Sequence, residues 1–177
     1  MTTAIILGGT GMLAGVAEHL AADTWRVIAP SRWSGPGWKA HHDSVHWVRG
    51  HWQEPVQLAA TVQQHLTSPA ELLVAWVHMP HREAVLRAME PLLAPGVPVV
   101  EVWGSATTDP TTMLQPPVLS DHPTHRVVLG YAREVSTVRW LAHTEISTGV
   151  LAAVKEALRG AQPRVHEVGQ LRPWPPR

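Results

Sequence analysis

The chain has 177 residues, with 14 lysines and arginines balanced by 14 aspartates and glutamates, and it contains no cysteine. That length supports one domain with a buried core, and zero net charge gives no electrostatic basis for a nucleic-acid or anionic-membrane partner. Without cysteine there is no disulfide, thiolate nucleophile or cysteine-ligated metal centre.

The elements follow in chain order. Residues 4–7 are a short apolar run ending at glycine, the pattern of a strand buried on both faces. Met12, Leu13, Val16, Ala17 and Leu20 then recur at helical spacing. Residues 25–29 read as a second strand, closing a unit of about 30 residues, the size of a βαβ motif. Residues 30–43 are rich in turn formers and are expected to be loop. Val45, Trp47 and Val48 suggest a third strand, and Pro55, followed by Leu58, Ala59, Val62 and Leu66, a second helix. A fourth strand over 72–77 leads to a helix over 81–93, with Pro80 near its first turn. A fifth strand is predicted over 97–103, a loop over 104–117 and a sixth strand over 126–129. The clearest helix spans 143–158, where Ile146, Val150, Leu151, Val154 and Leu158 form one stripe. Residues 165–168 suit a last, edge strand, and the proline-rich tail 171–177 (LRPWPPR) continues no regular element. Strands alternating with helices predict a single doubly wound α/β domain over 1–177: a mainly parallel sheet of six to seven strands with helices on both faces.

No apolar stretch approaches the roughly 20 residues needed to span a bilayer. The N-terminus lacks the basic and extended apolar regions of a signal peptide, so a cytoplasmic location is expected.

The glycines after the first strand carry the functional signal. Counted from Gly9, GGTGMLA contains G-x-G-x-x-A, the dinucleotide-binding fingerprint, with the required strand before it and amphipathic helix after it. In this reading Gly9 makes the tight turn and Gly11 lets a pyrophosphate approach the backbone. Ala14 allows the helix to pack closely, and the helix N-terminus presents unpaired amides to the phosphates. Gly9, Thr10, Gly11, Met12 and Leu13 are the expected pyrophosphate contacts. At the end of the second strand the sequence reads VIAPSRW, with no acidic residue to bond a ribose 2′-hydroxyl. Ser31 and Arg32 instead suit a 2′-phosphate, which favours NADP over NAD.

With GGTGMLA, the arginine after the second strand and this order of elements, the sequence resembles the atypical short-chain dehydrogenase/reductases. The resemblance implies a Rossmann fold binding NAD(P). It places the adenine end near Arg32 and the nicotinamide over the ends of the fourth and fifth strands, near His78 and Ser105. The chain departs from that family's Y-x-x-x-K pair: its only tyrosine reads YAREV, with Val135 at the lysine position. The family's catalytic asparagine has no counterpart, because the chain contains none.

In an open parallel sheet, ligands bind beyond the carboxyl ends of the strands. That rule nominates His78, Trp103, Ser105, Tyr131 and Arg133. Tyr131 is a candidate proton donor to a carbonyl, beside the cation Arg133. His78 is a candidate acid/base group or ribose ligand, and Ser105 the counterpart of the family's serine. Each is equally explained as a strand-end residue bonding local backbone. Thr144 is expected to cap the last helix, with Glu145 in its first turn; His143 and Glu145 could alternatively face the cofactor.

Histidines 41, 42, 46 and 51 cluster in sequence, and His78 and His81 are three apart, but loop placement and Pro80 argue against a metal site. The nine tryptophans serve core packing, a substrate pocket or a homo-oligomer interface. The function expected is an NADP-dependent oxidoreductase acting on a small carbonyl or imine substrate. The alternative is an NAD(P)-binding sensor or scaffold without turnover.

Overall fold

The computed structural model describes residues 1–32, 43–104, 110–134 and 137–172. Ser105, His41, His42 and the last five residues of the proline-rich tail lie outside them. Seven strands form one all-parallel sheet. They are β1 (Thr3–Leu7), β2 (Arg26–Ser31), β3 (Val45–Arg49), β4 (Leu72–Ala75), β5 (Val99–Trp103), β6 (Thr124–Leu129) and β9 (Val165–Val168). Their order across the sheet is β3-β2-β1-β4-β5-β6-β9. This is the doubly wound arrangement expected, with the chain reversing direction across the sheet between β1 and β4.

Every residue of β1, β4 and β5 is buried, which is why they read as apolar runs, broken only by Thr3 in β1 and Glu101 in β5. Successive side chains alternate between two layers. Ala4 and Ile6 face α1 (Ala14–Ala22) and α4 (His143–Leu158), meeting Val16, Leu20, Val150 and Val154. Ile5 and Leu7 face the layer of α2 (Pro55–Gln63) and α3 (Arg82–Met89), meeting Leu58, Val62, Val85 and Leu86.

Several boundaries differ from those predicted. The fourth strand stops at Ala75. The helix expected to reach residue 93 ends at Met89, passing into a 3-10 turn over Glu90–Leu92 whose middle residue is Pro91. The sixth strand starts two residues earlier, at Thr124. A small antiparallel hairpin, β7 (Tyr131–Arg133) with β8 (Val138–Trp140), was not foreseen. Helix α4 has the predicted span, but Thr144 does not cap it. The N-cap position is Ala142, and its amide donates to the Glu145 carboxylate at 2.7 Å. No helix among the described residues is long and apolar enough to cross a membrane.

Candidate functional site

The β1–α1 turn is built on Gly8. Its φ of +96° lies in the region that disfavours a side chain, and its carbonyl accepts from the amides of Gly11 at 3.1 Å and Leu13 at 3.2 Å. The turn conformation assigned from sequence to Gly9 therefore belongs to Gly8. Gly9 has a packing role: a Cβ there would lie 3.2 Å from the Ile6 carbonyl oxygen and 3.3 Å from Ala29 Cβ. At Gly11 a Cβ would meet only the Gly8 oxygen, at 3.9 Å, so its outer side is open. The close packing of α1 falls to Gly15 rather than Ala14, because a Cβ at Gly15 would lie 2.7 Å from Ser147 Oγ on α4.

This turn forms one wall of a cavity of about 230 Å³ lined by Gly8, Thr10, Gly11, Met12, Ser31, Arg32 and His78, together with Pro30, Trp52 and Trp76. Of the five expected pyrophosphate contacts, Thr10, Gly11 and Met12 face it. Gly9 and Leu13 do not: both are buried, and the Leu13 amide is already bonded to Gly8. Among the described residues the Thr10 and Met12 amides have no backbone acceptor. Two amides and an unobstructed glycine, with Arg32 also lining the cavity, make a donor set that could hold a phosphate group.

A second cavity, of about 510 Å³, shares Met12, Trp76 and His78 with the first. Trp103, Leu129, Trp140, Leu141 and Ile146 make most of its wall apolar. The two cavities form a groove across the carboxyl ends of β2, β1, β4, β5 and β6, where open α/β sheets bind ligands. His78 stands at their junction, with its ring 5.8 Å from that of Trp52 and 6.0 Å from that of Trp76. Partial burial, and then the positive charges of Arg82 and Arg32, lower its pKa. The imidazole is accordingly neutral near pH 7, with one N–H to donate and one lone pair to accept.

A buried ion pair supports the larger cavity. Arg82 Nη1 donates to Glu101 Oε2 at 3.1 Å, and Nη2 donates to the Val102 carbonyl at 2.6 Å. The guanidinium carbon lies 3.7 Å from the Trp103 ring centroid. Arg82 is 4% exposed and Glu101 fully buried, so each charge depends on the other. The sequence reading missed this pair, although a glutamate inside the buried run VVEVW was a usable signal.

The structure does not bring Tyr131 into the groove. Its side chain is fully buried, it lines neither cavity, and its backbone bonds Gln170 in both directions. Arg133 is exposed and donates to Gln170 Oε1 at 3.3 Å. Glu145 is held away by Arg139, which donates to both carboxylate oxygens, at 2.7 and 3.1 Å. His143 is exposed at the start of α4 and lines neither cavity. Among the described residues, Trp103 and His78 are thus the nominated strand-end residues that reach the groove.

By sequence, no protein-family model and no curated protein matches the chain. By structure, it is similar to a short-chain dehydrogenase/reductase of Brucella melitensis (TM-score 0.66, 10% identity, covering 95% of each chain). It is also similar to ChuY, an anaerobillin reductase from Escherichia coli O157:H7 (TM-score 0.62, 13% identity, covering 99% of this chain and 100% of that one). A doubly substituted mutant of NmrA matches over 94% of this chain and 65% of its own (TM-score 0.65, 14% identity). The chain has the Rossmann-type fold shared by the short-chain dehydrogenase/reductases and NmrA.

Proposed function

We propose that the protein is a cytoplasmic, NADP-dependent oxidoreductase acting on a small carbonyl or imine substrate. One observation carries this reading. The phosphate-ready cavity at Thr10–Met12 and Arg32 shares a wall, at Met12, Trp76 and His78, with a roomier apolar cavity. Ser31 and Arg32 would hold the 2′-phosphate of a dinucleotide lying along the groove, the Thr10 and Met12 amides would hold its pyrophosphate, and the second cavity would take its far end. Bound there, the nicotinamide supplies or accepts hydride.

The protein's own contribution is placement, exclusion of water and polarisation. Trp76, Trp103, Trp140, Leu129 and Leu141 exclude water and hold an apolar, planar-faced substrate. His78, neutral at the junction, donates its N–H to the substrate's carbonyl or imine group. Arg82, its charge balanced by the Glu101 carboxylate, stacks on Trp103 and fixes that ring in the cavity wall. A sensor without turnover, the competing reading, would use both cavities for the dinucleotide alone.

The test is a fluorescence titration with NADPH and NADH, followed by carbonyl and imine compounds monitored through nicotinamide absorbance. Tight NADPH binding with turnover of apolar carbonyls or imines is expected. Binding without turnover across a broad set favours the sensor, and absence of binding ends both readings.

A further inference from the structure

At the opposite ends of the strands from the groove, three side chains converge. They are His125, the second residue of β6; His166, the second residue of β9; and Glu156, near the end of α4. One ligand atom from each lies within 4.8 Å of the other two. His125 Nδ1 and His166 Nε2 are 2.8 Å apart, and His166 Nε2 is 3.9 Å from Glu156 Oε2. Both histidines are buried, and Glu156 is half-buried.

The surroundings fix which nitrogens are free. His125 Nε2 is 3.3 Å from the Ala161 carbonyl, which can only accept, so Nε2 carries the proton. The Nδ1 lone pair then points at His166. An imidazole whose distal N–H is anchored to a backbone carbonyl is the usual preparation of a metal-binding histidine. Glu156 is also held: Arg164 Nε and Nη2 donate to its two oxygens at 2.9 and 2.7 Å. Each carboxylate oxygen keeps a second lone pair.

We propose that His125 Nδ1, His166 Nε2 and Glu156 Oε2 bind a divalent transition-metal ion, Zn²⁺ by preference, and that the ion ties the edge strand β9 to β6 and α4. Two imidazoles and a carboxylate suit Zn²⁺ and not Mg²⁺ or Ca²⁺, which demand oxygen ligands. With metal–ligand bonds of about 2.0–2.1 Å, tetrahedral ligands sit roughly 3.3 Å apart. The two nitrogens must therefore separate by about half an ångström, and the carboxylate must close by a similar amount on His166 Nε2 and by up to about 1.5 Å on His125 Nδ1. Solvent takes the fourth position on the open Glu156 side. In the metal-free protein a hydrogen bond from His166 Nε2–H to His125 Nδ1 fills the same space, and metal binding moves that proton to His166 Nδ1. The inference is independent of the groove and of its cofactor.

The test uses the full chain labelled with ¹⁵N in its histidines, freed of metal by a chelator and titrated with ZnCl₂. The first equivalent is expected to shift His125 Nδ1 and His166 Nε2 into the metal-bound range and to raise Tm, whereas MgCl₂ does neither. Glu156→Gln and His166→Gln are expected to weaken Zn²⁺ binding by about tenfold or more. No ring-nitrogen shift, or a first equivalent taken up by His41, His42, His46 or His51, overturns the proposal. So does undiminished affinity in a folded His166→Gln protein. The wild-type spectrum decides the matter even if that variant fails to fold.

Discussion

Replacing Gly11 by alanine separates the turn's structural work from its binding work. Gly11 has no positive φ, and an added Cβ meets nothing closer than the Gly8 oxygen at 3.9 Å. The folded chain can therefore take alanine without strain. Restricting the unfolded chain even predicts a gain of about 0.4–1 kcal/mol. The open side of Gly11 is, however, where the proposed pyrophosphate must come to bond the Thr10 and Met12 amides. A methyl group there holds the phosphate off one or both donors. Each charge-assisted hydrogen bond contributes about 1.5–3 kcal/mol, so the loss of one weakens NADPH binding by roughly 10- to 150-fold, taking about 1.4 kcal/mol as tenfold. Gly9→Ala is the control, because its Cβ presses on Ile6 and Ala29 and stability should fall. The assay is urea unfolding paired with NADPH titration for each variant. A Gly11→Ala protein that is stable and binds NADPH like wild type refutes the assignment of the turn to phosphate.

Further outcomes follow from the same geometry. Arg32→Ala should weaken NADPH much more than NADH in paired titrations, and equal losses remove the 2′-phosphate from Arg32. Glu101→Gln strands the buried Arg82 charge and should cost about 3–5 kcal/mol in urea unfolding, whereas Arg82→Met combined with Glu101→Leu should recover most of it. His78 resists a proton in the folded chain that the unfolded chain accepts near pH 6.5. The stability of wild type relative to His78→Gln should therefore be flat above that pH and decline as pH falls through it. A difference that grows in favour of wild type in acid contradicts the lowered pKa.

The parallel strands were legible because burial on both faces leaves an unbroken apolar run, as in AIIL and LLVA. The β7–β8 hairpin had no such mark. All three residues of β8 are exposed, so neither alternation nor an apolar run distinguishes it. The fingerprint located the β1–α1 glycine turn but not its internal division of labour. Adjacent glycines look alike until backbone angles show that Gly8 bends the chain while Gly9 packs. Ser31, Arg32 and His78 could be nominated because strand ends in this fold converge on one crevice, and all three line the same cavity. Tyr131 obeys the same rule but turns inward, a direction no sequence position reveals. Arg82 and Glu101 lie 19 residues apart and join only through the α3–β5 packing. The His125, Glu156 and His166 group has no ligand spacing to recognise, because three separate elements bring it together.

The most direct measurement is a backbone amide NMR titration of the intact protein with NADPH. The expected result is saturable shifts at Thr10, Gly11 and Met12, with Arg32 and His78 following. Shifts confined to other surfaces, or a turn whose amides stay silent at saturating NADPH, would contradict the claim that this glycine turn holds a dinucleotide.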